Sequence, residues 1–174
     1  MSAARDSQRT KVYDAEQLVR KVFEHADEFG HRTIEVHGSS LTLPVERKFA
    51  SVESVQEYCD RVLCLNWVVA NWERAATPIR VRARAGTTAA HYESADAVLA
   101  IPLRATGTAG GSWALRELVV LHELGHHLEP GPDSAPAHGP QFCGRYIELV
   151  AGVVGAEAGL LLRSTLHACG ARIG

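Results

Sequence analysis

The segment 112–128, SWALRELVVLHELGHHL, constrains this chain more than any other, because it is almost wholly apolar yet carries three histidines and two glutamates. An apolar run of that length without a proline reads as a helix buried on most of its circumference. A fold that accepts it must surround it and must also partner its polar groups, since burying imidazoles and a carboxylate alone costs several kcal/mol. His122 and His126 stand four residues apart, so at about 3.6 residues per turn their rings leave the same side of the helix. Glu123 lies one position round from them. The pattern His-Glu-x-x-His thus offers two nitrogens to one metal ion and a carboxylate to a water beside it.

A catalytic zinc takes three protein donors and leaves a further position open, so a third ligand is required. His138 sits in AHGPQF, just before the next helix, where the loop can fold its ring back over the motif helix. Glu148 falls beside Arg145 and away from the stripe of Phe142, Tyr146 and Leu149, which reads as a solvated charge. Asp133 lies in the middle of PGPDSAPAHGP, a run dense in helix breakers. The expected centre is therefore Zn2+ on His122, His126 and His138, with Glu123 as the catalytic base. His127 points about 100° away from the ligand pair and is expected to be a supporting or surface group. Gly125 inside the helix costs about 1 kcal/mol relative to alanine, so close packing against its backbone is expected there.

Around this helix the sequence predicts an α+β chain, one domain over residues 1–174, with a small antiparallel or mixed sheet packed on the motif helix and further helices beside it. Val12, Ala15, Val19, Val22, Phe23 and Ala26 recur at helical spacing over 8–29, and Gly30 supplies a stop. Residues 33–36 and 41–43 read as short strands, after which Ser51 caps a second helix with Val52, Val55, Cys59, Val62 and Leu63 on one face. NWVVANWERAA is open between helix and strand. Residues 79–85, 89–92 and 97–103 read as three strands of an antiparallel sheet. Pro140 begins a helix with Phe142, Tyr146, Leu149, Val150 and Val153 on one face, and a last helix covers 157–168.

Composition narrows the function classes. A hydrophobic share of 46% with 22% charged residues is ordinary for a globular protein. The net charge of -2 gives no general positive field for nucleic acid or anionic lipid. No run approaches the roughly 20 apolar residues of a spanning helix, and the opening residues lack a secretory leader's apolar stretch, so the cytoplasm is the expected location. Cys59, Cys64, Cys143 and Cys169 form no C-x-x-C pair, which argues for buried free thiols rather than a zinc ribbon.

HELGHH followed by HGPQF resembles the SprT-like and related zincin-type metallopeptidases, with His138, Gly139 and Phe142 on the positions of their His-Gly-x-x-aromatic segment. Over nearly its whole length the chain is also similar to a small group of actinobacterial metallohydrolases, through RDSQRTKVYDAE, FASVESVQEY, AAHYE and HELGHHL. The resemblance implies a zincin-like fold, zinc on the three histidines, Glu123 as base, and a peptide or protein substrate paired along the edge of strand 97–103. SprT proteins often add a cysteine zinc ribbon and act at DNA. This chain has neither that ribbon nor a basic excess. Arg80, Arg82 and Arg84 alternate along one strand face, which the solvated side of a sheet explains as well as a phosphate grip. Two other readings therefore stand beside the peptidase: a zinc-stabilised interaction module without catalysis, and a DNA-associated SprT-like protease.

Overall fold

Val12, Ala15, Val19, Phe23 and Ala26 form the buried face of a 21-residue helix, α1 (Arg9–Phe29), in a computed structural model that describes residues 6–86, 89–103, 113–131 and 136–174. Gly30 ends that helix at φ 66°, a left-handed conformation open to glycine without a Cβ penalty. Among the described residues the protein is mixed α+β, with six α-helices and two small sheets. The chain divides into two compact units, one of Met1–Glu46 with Asp133–Gly174 and the other of Arg47–Pro132. No helix of the described residues is long and apolar enough to cross a membrane.

In the first unit, α1 packs on α6 (Ala156–Ala168), and α6 packs on α5 (Pro140–Val153). Pro140 starts α5 at a position where its missing N–H is not needed. The stripe expected on α5 is buried except for Val153, which is half-buried. A hairpin of β1 (Thr33–Val36) and β2 (Ser39–Thr42) completes the unit. Its second strand begins two residues earlier than the apolar residues suggest. His37 (φ 50°) and Gly38 (φ 80°) form a two-residue turn, which sets Ser39 opposite Val36 and pairs polar residues into the ladder.

In the second unit, Ser51 caps α2 (Val52–Leu63) reciprocally with Ser54, each side chain meeting the other's backbone N–H at 3.2 Å. The ambiguous NWVVANWERAA resolves into a short helix, α3 (Asn66–Asn71), and a 3-10 turn (Glu73–Ala76). The sheet that follows is mixed, not antiparallel. β3 (Arg80–Arg84) runs parallel to β5 (Val98–Pro102), while β4 (His91–Glu93) pairs antiparallel on its other side. The order β3-β5-β4 puts β5 at the centre.

All five residues of β5 are buried, as a central strand covered on both faces should be. The segment 97–103, expected to offer an edge to a peptide, contributes β5, which lies between two strands, with β3 along its length and β4 against Val98–Ala100. The start of the outer side of β3 is occupied as well. Gln56 of α2 donates to the Ile79 carbonyl at 2.9 Å and accepts from the Val81 N–H at 2.7 Å, as a neighbouring strand would. On the arginine face, Arg82 pairs with Glu93, and Arg84 donates to the Ala89 carbonyl at 2.8 Å and meets His91 Nδ1 at 2.9 Å. Two of the three guanidiniums are thus engaged within the sheet.

The motif helix is shorter than its apolar run. α4 spans Glu117–His127, whereas the sequence reading starts it at residue 112, a residue outside those described. Arg116 adopts an extended conformation and bridges Lys48, with Phe49 N–H on the Leu115 carbonyl and Glu117 N–H on the Arg47 carbonyl. Tertiary pairing overrides helix propensity there.

One close approach in the first unit is testable. A Cβ on Gly159 would stand 2.5 Å from Ala151 Cβ and 2.9 Å from its Cα. Alanine for glycine in an open helix stabilises by about 1 kcal/mol, but a contact so far inside the roughly 3.5–4.0 Å optimum brings an overpacking cost of about 1–3 kcal/mol. Gly159→Ala should therefore lower the melting temperature by about 2–4 °C per kcal/mol lost. A higher melting temperature in calorimetry would refute the close crossing of α5 and α6.

Candidate metal centre

Glu117 opens α4 and is completely buried. Its carboxylate accepts from the Arg47 N–H at 3.0 Å, from Arg47 Nη1 at 2.6 Å and from the Tyr58 hydroxyl at 2.8 Å. A carboxylate in the first turn also complements the helix dipole. Burial first, and then the neighbouring carboxylate, push the Tyr58 hydroxyl far above its ordinary range, so it stays a donor. These bonds fix the start of the helix, and the helical spacing then sets the positions of the residues about one and a half to almost three turns on.

Those residues are His122, Glu123, His126 and His127. His122 and Glu123 are buried, at 3% and 4% exposure, and His126 is half-buried. His122 and His126 bring their Nε2 atoms to 3.1 Å, with the rings inclined at 71°. Two nitrogens bonded at about 2.0–2.1 Å to one tetrahedral ion stand roughly 3.3 Å apart, so the pair is spaced as two ligands of one ion are.

His127 turns elsewhere. It is completely buried, with Nδ1 2.9 Å from the Tyr92 hydroxyl and Nε2 3.0 Å from the Thr77 carbonyl. A carbonyl only accepts, so Nε2 carries the hydrogen and Nδ1 receives the Tyr92 O–H. Arg74 donates to the same Tyr92 oxygen at 3.1 Å and, through Nε, to the His127 carbonyl at 2.7 Å. Burial lowers the His127 pKa, which keeps the ring neutral in this chain of bonds. It is a supporting group that holds the end of α4, not a surface one.

His138 stands immediately before α5, with its side chain 7% exposed. Its Nδ1 is 2.7 Å from Asp6 Oδ2, and its backbone N–H reaches Asp6 Oδ1 at 3.3 Å. Gln8 donates to its carbonyl at 3.1 Å and also ties down Arg172. Tyr13 and Phe142 place their rings 5.2 and 5.1 Å from the imidazole.

His122, His126 and His138 can together hold a metal ion, since each offers one ring nitrogen and these atoms all lie within 4.8 Å of one another. Three neutral imidazoles suit zinc, a borderline ion that accepts nitrogen donors readily. The competing candidates behave differently. Glu148 is exposed on α5, as its place on the helical wheel implied. Asp133 lies outside the described residues. Sequence reasoning missed Asp6 entirely, because 132 residues separate it from His138 and no spacing rule links them. It also missed Arg74, Thr77 and Tyr92 as the partners of His127.

Removing the Tyr92 hydroxyl leaves His127 Nδ1 without its donor in a buried place. Tyr92→Phe should cost about 1–3 kcal/mol of unfolding free energy, read as a lower urea midpoint with an unchanged slope. A midpoint equal to that of the parent chain would show that the network adds nothing to stability. In comparisons with family models, with curated proteins and with solved structures, nothing matches this chain.

Proposed function

We propose that this chain is a zinc-dependent hydrolase of the zincin type, a peptidase that holds its metal on His122, His126 and His138 and uses Glu123 as general base. The observation that carries this reading is the convergence of the three imidazoles, with a buried carboxylate one residue along from the first of them. The donor set fits a catalytic zinc, which takes three protein ligands and keeps a position open. The choice of an amide over another carbonyl compound rests on the likeness of HELGHH and HGPQF to the SprT-like peptidases.

Zinc, when bound, lowers the pKa of a water toward about 7 and polarises a carbonyl oxygen. The remaining work falls to the chain's own residues. Glu123 takes the proton from the attacking water and hands it to the leaving amine, so one carboxylate serves both halves of the reaction. Its burial keeps bulk water from competing for that proton and strengthens each electrostatic contact it makes. The bonds of Glu117 at one end of α4 and of His127 at the other keep the helix from shifting, and a misplacement of about 1 Å costs on the order of 10²-fold in rate. Arg82 and Arg84 are engaged with Glu93, Ala89 and His91, so the arginine face lends no particular support to a DNA-associated protease.

The decisive comparison separates metal binding from chemistry. Glu123→Gln should retain one zinc per chain and lower turnover of an unfolded protein or peptide library by about 10²–10⁴-fold, whereas His126→Ala should lose the metal. Undiminished turnover in the glutamine variant would defeat the proposed role of Glu123. A parent chain that takes up no stoichiometric zinc would defeat the whole reading.

A further inference from the structure

Ligand geometry at two of the three imidazoles follows from a single helix, but His138 belongs to a segment before α5 and needs some other device to hold its ring. The structure provides one from the far end of the chain. Asp6 uses both carboxylate oxygens on one residue, Oδ2 on the ring Nδ1 at 2.7 Å and Oδ1 on the backbone N–H at 3.3 Å. Gln8, two residues on and almost fully buried, takes the carbonyl of the same residue. The ring itself sits between Tyr13, from the first turns of α1, and Phe142, from α5. Main chain, ring plane and ring nitrogen are thus each specified by the opening segment or by α5.

The chemistry of the short bond decides which nitrogen is left for a metal. A carboxylate accepts and does not donate, so Nδ1 must carry the hydrogen, and in the neutral ring the lone pair then belongs to Nε2. Metal-bound histidines commonly donate their other N–H to a carboxylate in this manner, which fixes the tautomer and raises the basicity of the ligating nitrogen. We infer that Asp6 is a positioning residue for the metal centre: through its bond to Nδ1 it selects the Nδ1–H tautomer of His138 and presents Nε2 as the third ligand atom. This inference rests on the zinc reading above and adds to it a determinant of affinity outside the motif helix.

Two measurements on the full chain test it. Zinc affinity, taken by competition with a chromophoric chelator, should fall about 10–100-fold in Asp6→Ala. It should fall less in Asp6→Asn, whose single oxygen can serve only one of the two N–H donors. In the metal-free parent protein, nitrogen NMR of the histidine rings should find His138 in the Nδ1–H form, identified by its absence from His138→Gln. In Asp6→Ala it should move toward the Nε2–H form. A merely structural role for Asp6 would leave the tautomer unmoved. An Nε2–H ring in the parent protein overturns the inference whatever the metal does, and so does an alanine variant that binds zinc as tightly as the parent. Failure of the parent to bind zinc at all is a different result, since it removes the metal reading together with this inference. If Asp6→Ala does not fold, the asparagine variant and the parent's tautomer decide the matter.

Discussion

A helix buried on nearly every side can carry imidazoles and carboxylates only if each finds a partner, and that requirement organises the unit of Arg47–Pro132 around α4. Glu117 is met by Arg47 and Tyr58. His127 is met by Tyr92 and Thr77. His122 and His126 face each other across 3.1 Å. Each unmet group would cost on the order of 1–3 kcal/mol, a large fraction of the 5–15 kcal/mol that keeps a domain folded. Neither α2 nor β4 can therefore be regarded as packing alone, because Tyr58 and Tyr92 each bring a hydroxyl to a fixed point along α4.

The two ends of α4 are held by different means. At its start a charged pair is shared with the main chain, Arg47 offering its N–H, its guanidinium and its carbonyl to one residue, Glu117. At its finish a guanidinium starts a run of bonds that continues through neutral groups, from a phenol to an imidazole to a carbonyl. A neutral histidine suits such a run because it both donates and accepts, which its protonated form does not. Burial lowers the pKa of His127 and so favours that neutral form.

Local features of the chain were legible in its sequence, and those that depend on distant pairing were not. The stripe of α1, the Ser51 cap and the proline start of α5 follow from spacing and from the chemistry of single residues, and the structure has all three. That His122, His126 and His138 could hold one metal ion was readable from the helical period of the first two and from the place of the third in AHGPQF, though not from what holds its ring. The parallel pairing of β3 with β5 was not, since a strand's residues carry no mark of their neighbour's direction. The late start of α4 eluded the apolar pattern for the same reason, as residues 113–116 favour a helix until Lys48 and Phe49 claim their backbone. Asp6 is the strongest example: a short polar residue near the beginning of the chain, with nothing beside it to suggest an imidazole.

The amide of Gln56 on β3 has a consequence for how molecules of this protein meet one another. A side chain that fills one donor and one acceptor of an outer strand acts as a plug, and a second molecule arriving there finds those bonding sites taken. The opposite margin of the sheet is β4, only three residues long and too brief to template growth. The outer strand thus has those two bonding sites filled from within its own unit, and the other margin of the sheet is short.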